Sequence, residues 1–209
     1  RLAFHRTDGI YVINVDGSGL RYLTRGWDSD WSPDGRSIVF RDPTFSISTV
    51  DVNGSNIRRV HYGKHGGQEP AWSPDGQRIA FGVGTYFDCP TFGLWAMNVD
   101  GSGLRLVNCD GDLPAWSPIS SEIAFFNQGT IDVSNADGSG QRTLVAGPAT
   151  FPDCTPDGRL IFTKTPSGNR YGPSQRIFIS DGGLERQLIP EAAPPVLSGY
   201  SDRQATWRR

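Results

Sequence analysis

The feature that most constrains this chain is a repeat. Trp31-Ser32-Pro33-Asp34-Gly35 returns as Trp72-Ser73-Pro74-Asp75-Gly76, then in altered form as Trp116-Ser117-Pro118-Ile119-Ser120 and Cys154-Thr155-Pro156-Asp157-Gly158, with a last anchor at Trp207. Successive anchors lie 41, 44, 38 and 53 residues apart. A second motif keeps step with it: Asn14 to Gly19, reading Asn-Val-Asp-Gly-Ser-Gly, recurs at Asn98 to Gly103 and Asn135 to Gly140, with weaker copies at Asp51 to Asn56 and Ser180 to Gly183. Two unrelated motifs in register over most of a chain mark a structural unit used several times.

Each unit contains four short apolar or alternating runs. One precedes Pro-Asp-Gly, and one follows it, as in Ile38-Val39-Phe40, Ile79-Ala80-Phe81 and Ile123-Ala124-Phe125. A third alternates with period two, as in Ile10 to Ile13 and Leu94 to Met97, and a fourth follows the Asp-Gly turn, as in Leu20 to Leu23. Four strands joined by tight turns in about 42 residues make one blade of a β-propeller. The 26 Gly and 15 Pro agree with many turns and oppose a helical bundle.

Arg1-Leu2-Ala3-Phe4 aligns with Arg78 to Phe81, so the chain enters a unit at its second strand, and it leaves just after a first strand at Trp207. Pairing the two ends completes one blade and removes free sheet edges. The expected fold is therefore all-β: one domain over 1–209, a five-bladed propeller whose blades span about 203–209 plus 1–24, 28–61, 69–108, 113–146 and 151–189. A six-bladed ring cut from a longer chain is the alternative. The chain starts without Met, which reads as a processed or trimmed piece that has lost any address label.

The sequence Pro-x-Trp-Ser-Pro-Asp-Gly, then Ile-Ala-Phe, an Asp-Gly-Ser-Gly hairpin and Arg-x-Leu resembles the TolB-type propeller repeat over essentially the whole chain. The resemblance implies a bacterial protein in the periplasm or secreted. The family's namesake has six blades and an extra N-terminal domain, neither of which this sequence matches, so its role in the Tol system is not carried over.

Function is read from what the repeat leaves unexplained. A net charge of −2, with no dense Lys/Arg cluster, gives nucleic acid no basic face, and no apolar run is long enough to span a membrane. The Trp anchors and Pro-Asp-Gly read as core and turn. The Asp-Gly-Ser-Gly loops have oxygens suited to calcium, but a hairpin with a glycine bulge explains them more simply, and no cofactor is expected. Departures from the repeat gather on the face that carries the second-to-third-strand and blade-to-blade loops. The candidate ligand-binding residues there are Trp27, Asp28, Tyr62, His65, Glu69, Tyr86, Phe87, Arg170, Tyr171 and Tyr200, aromatics beside polar groups of the kind interfaces use. Cys89 and Cys109 are placed to form a disulfide on that face, while Cys154, standing at a Trp position, reads as a free thiol.

The leading expectation is a non-catalytic module that binds a protein or peptide through this face, in an extracytoplasmic setting. A lectin using the same aromatics is the alternative. A glycoside hydrolase is third, with Asp28, Asp30, Glu69, Asp112, Asp153 and Asp202 as its candidate funnel carboxylates. Oligomeric state is left open.

Overall fold

The computed structural model describes residues 1–62, 66–84, 93–164, 176–181, 184–188 and, by their backbone, 206–207. The strands fall into five antiparallel sheets of four. The first sheet contains β1 (Leu2–Arg6), β2 (Gly9–Ile13) and β3 (Arg21–Thr24), and the last strand of the chain, β20 (Thr206–Trp207), pairs with β1 at its inner edge. The ring is thus closed by joining the two ends of the chain in one blade.

The other four blades are consecutive. Blade 2 holds β4 (Trp27–Trp31), β5 (Ser37–Arg41), β6 (Ile47–Asp51) and β7 (Arg58–His61). Blade 3 holds β8 (Gly67–Trp72), β9 (Arg78–Val83), β10 (Gly93–Asn98) and β11 (Arg105–Asn108). Blade 4 is β12 (Gly111–Trp116), β13 (Glu122–Asn127), β14 (Thr130–Asn135) and β15 (Arg142–Val145). Blade 5 is β16 (Ala149–Cys154), β17 (Leu160–Lys164), β18 (Arg176–Asp181) and β19 (Leu184–Gln187). The five-bladed reading of the repeat is what the structure has.

The repeated Ile-x-Phe of each second strand explains why blades stack. Ile38 and Phe40 are fully buried against Ala3, Ile10, Val12 and Leu23 of blade 1. Val39, on the other face of the same strand, packs with Ile79 and Phe81 of blade 3. Equivalent clusters join blade 3 to blade 4 through Phe125 and blade 4 to blade 5 through Phe162. Period-two alternation thus puts one side chain into the interface on each side of every sheet. The tryptophan anchors join in: Trp31 and Trp116 are nearly fully buried, and Trp116 donates its indole N–H to the Ala71 carbonyl of blade 3 at 3.1 Å.

Both repeated turns lie on one face, where Val52 donates to the Arg36 carbonyl and Val99 to the Gln77 carbonyl, tying the two turn types of a blade together. Within Asp-Gly-Ser-Gly the carboxylate is engaged by the turn itself: Asp16, Asp100 and Asp137 each accept the N–H and the hydroxyl of the Ser two residues on. The Gly of this turn is required at Gly101, where φ is +90° and a Cβ would sit 2.3 Å from the Val60 carbonyl oxygen of the neighbouring blade.

A candidate binding face on blade 2

The opposite face is built from the innermost strands and the hairpins that break the pattern. In four blades the inner strand carries a left-handed residue three positions before the anchor: Asp28 (φ 53°), Glu69 (φ 49°), Leu113 (φ 54°) and Phe151 (φ 51°). At the same places the pairing with the second strand slips, so each is a β-bulge. Bulges bend the inner strands at the mouth of the central channel and turn a side chain there out of the alternation. Asp tolerates this conformation; Leu and Phe rarely do, at a cost of about 1–3 kcal/mol each. Recurrence in four blades makes it a property of the scaffold.

Two carboxylates read from sequence, Asp28 and Glu69, therefore occupy equivalent positions, and they are coupled: the Glu69 N–H bonds the Asp28 carboxylate. Burial raises the Asp28 carboxyl above its usual range, with the Arg41 charge working the other way. The Arg41 Nε lies 2.9 Å from Asp28 Oδ2. The Arg41 guanidinium lies 5.6 Å from the ring centres of both Trp27 and Phe45. Trp27, half-buried, is thus one side of a stacked cation rather than an isolated exposed ring.

Asp30 and Asp153, each one residue before an anchor, also share a position. Asp30 accepts the N–H of Trp31 at 2.8 Å and, across the blade junction, that of Trp72 at 2.7 Å. Burial raises its carboxyl to about 7; the two N–H bonds work the other way, and the Asp153 charge adds to the rise. Asp153 accepts the N–H of Cys154. Asp112 accepts the N–H of Leu113 and faces Gln68. Asp202 lies outside the described residues.

Phe45, which the repeat does not point to, is the most unusual residue of this face. It sits in the hairpin between β5 and β6 with φ 61° and 56% of its surface exposed. A buried carboxylate holds the loop in place. Asp42 accepts the N–H groups of Thr44 and Ser46 and the Thr44 hydroxyl on Oδ1, and the Ser48 hydroxyl and Arg59 Nε, at 2.7 Å, on Oδ2. Burial alone would raise the Asp42 carboxyl, but these donors outweigh it and hold it below the usual range. The Phe45 carbonyl accepts the Gly67 N–H at 2.6 Å, and a Cβ on Gly66 would stand 2.9 Å from that of Phe45, so the connector to blade 3 wraps the loop closely.

Tyr62 completes the patch, 73% exposed, with the Arg59 guanidinium 5.0 Å from its ring centre. His61, beside it, lies tilted against Phe81 with ring centres 4.9 Å apart, and burial lowers its pKa, so it packs inward. Asn127 is engaged with Asp132. Of the candidate ligand residues, the structure thus places Trp27, Asp28, Tyr62 and Glu69 on or beside blade 2 at this face; His65, Tyr86, Phe87, Arg170, Tyr171 and Tyr200 lie outside the described residues. Cys109 takes part in a disulfide. Cys89 is also outside the described residues, and Cys154 keeps a half-buried free thiol whose pKa burial pushes up to about 12.

Comparison with known proteins bears on the fold. No family model matches the sequence. An uncharacterised protein of Agrobacterium fabrum is 27% identical over 178 residues, covering 71% of this chain and 59% of that protein. The Tol-Pal system protein TolB of Rhizorhabdus wittichii is 38% identical over 71 residues, 30% of this chain and 16% of TolB. The crystal structure of TolB from Acinetobacter baumannii superposes on 90% of this chain, and on 52% of its own, with a TM-score of 0.73 at 15% identity. This is a five-bladed β-propeller, similar in repeat and in fold to TolB.

The chain spans under two thirds of the length of these relatives. The same fold also occurs in an oligogalacturonate lyase solved with manganese (TM-score 0.62, 16% identity, 86% of this chain and 58% of that one). It occurs again in a nidogen/laminin complex (TM-score 0.69, 12% identity, 90% of this chain and 77% of that one). Likeness at these identities is a likeness of fold. Among the described residues, no helix is long and apolar enough to cross a membrane.

Proposed function

We propose that this propeller is a non-catalytic, extracytoplasmic binding scaffold that holds a protein or peptide partner on its variable-loop face. The observation that carries the reading is Phe45: a large apolar ring in a strained backbone conformation, kept in water by a buried carboxylate with five donors. Folding alone gives no reason to hold a phenylalanine outward in this way. An interface does, because an anchor fixed beforehand loses little entropy on binding. The nidogen/laminin complex supplies a precedent for a propeller engaged with another protein.

Site-specific photo-crosslinking tests this. A benzophenone amino acid at Tyr62 should trap a discrete partner from the extracytoplasmic fraction of the source cells, while the same group at Ile119, 70% exposed on the turn face, should not. Trapping only from Ile119, or from neither position, would contradict the assignment.

A further inference from the structure

Two ion pairs on this face of blade 2 are polarised, with the carboxylate inside and the guanidinium outside. Asp28 and Arg41 have side chains 12% and 23% exposed, and Asp42 and Arg59 8% and 36%. Asp42 accepts five donors from within, and Asp28 is ion-paired with Arg41 and accepts the Glu69 N–H. The arginine is the more exposed partner of each pair, and its guanidinium carries five N–H donors, more than one carboxylate uses. Arg25, exposed in the connector that leads into Trp27, adds a third cation.

These cations are interleaved with rings. Arg41 lies between Trp27 and Phe45, and Arg59 lies over Tyr62. Stacking fixes the plane of each guanidinium, and a fixed plane suits recognition of a carboxylate. Toward the channel the sign reverses, with Glu69 and Asp112 on the inner strands. Such a border repels an acidic segment from the channel and leaves it on the outer strip.

We infer that this strip, from Arg25 across the Phe45 hairpin to Tyr62, docks an acidic peptide segment of a protein partner. Its carboxylates meet Arg41, Arg59 and Arg25, and an aliphatic or aromatic side chain lies against Phe45 and Tyr62. This rests on the reading of the variable-loop face as a binding face and adds the chemistry of what binds there.

The test is selection from a displayed library of random peptides of about twelve residues on the folded protein, followed by affinity measurement on variants. Phe45→Ala and Tyr62→Ala change exposed side chains and leave the fold intact; Val15→Ala, 70% exposed on the turn face, is the control. Selected peptides should be rich in Asp and Glu beside an apolar residue and should weaken with salt. They should lose about tenfold or more in affinity on Phe45→Ala, as a central aromatic anchor does, and nothing on Val15→Ala. Peptides that are basic or uncharged yet still lose affinity on Phe45→Ala would overturn the acidic partner while leaving the face intact. Peptides indifferent to both Phe45→Ala and Tyr62→Ala would overturn both readings, and so would a selection that yields no binder.

Discussion

Phe81→Ala should lower the stability of the propeller by about 3–5 kcal/mol, the usual cost of truncating a fully buried aromatic. Phe81 has no exposed surface and packs with Val39, Ile47, Val60, Ile79, Val83 and Met97 across the junction of blades 2 and 3. The ring of His61 lies against it as well. In a domain of this size that loss moves the melting temperature down by roughly 10 °C or more. Phe45→Ala makes the contrast. Its ring is more than half exposed, and the alanine inherits the same positive φ, so no strain is relieved and little burial is lost. The expected change is within about 0.5 kcal/mol. Two phenylalanines, some 36 positions apart in sequence, thus separate what the fold needs from what the surface does. Thermal or denaturant unfolding of the two variants side by side checks it; equal losses would mean that Phe45 is packing.

The second large effect is on pH dependence. A carboxyl whose pKa is raised from about 3.9 in the unfolded chain to about 7 in the native one binds more protons when folded. Its contribution to stability is therefore complete below about pH 4 and is lost as pH rises through 7. Asp30 is enclosed by packed protein but retains some exposure, which moderates the effect to the order of 1–3 kcal/mol. Asp30→Asn keeps a carbonyl oxygen for one of the two N–H donors and removes the charge. Two kinds of group act in the opposite sense: His61, whose pKa is lowered by burial, and the surface carboxylates held low by their turns, such as Asp157 at about 2. The informative quantity is thus the difference between variant and parent. The melting temperature of Asp30→Asn should rise relative to the parent between pH 5 and pH 8, by about 2–8 °C. Parallel curves over that interval would show that Asp30 is not a buried acid straddling the junction of blades 2 and 3.

The repeat made the architecture legible because a propeller's geometry is written in periodicity: Ile38-Val39-Phe40 and its copies give strand, face and blade partner at once. The pairing of the chain ends was legible for the same reason, since Arg1 to Phe4 aligned with a second strand. The shared positions of Asp28 and Glu69, and of Asp30 and Asp153, were less so. Their offsets from the anchors are there in the sequence, but the left-handed bulge that gives the offset a meaning belongs to the backbone, and Asp, Glu, Leu and Phe all occupy it. Phe45 was missed because its hairpin lies outside the two repeated motifs. The signal was an aromatic among turn formers in Asp42-Pro43-Thr44-Phe45-Ser46, and the return of the same Pro-Thr-Phe at Pro90 to Phe92. Trp27 was picked for being an unexplained aromatic, whereas in the structure it is half-buried and stacks on Arg41.

The most direct test of the central claim, that the propeller binds through its variable-loop face, is hydrogen–deuterium exchange of the protein with and without a saturating binder from the peptide selection. The account predicts slowed exchange in the 42–46 hairpin and at residues 25–28, 62, 66 and 67, with the Pro-Asp-Gly and Asp-Gly-Ser-Gly turns unchanged. Protection confined to those turns, with the hairpin exchanging as before, would contradict it.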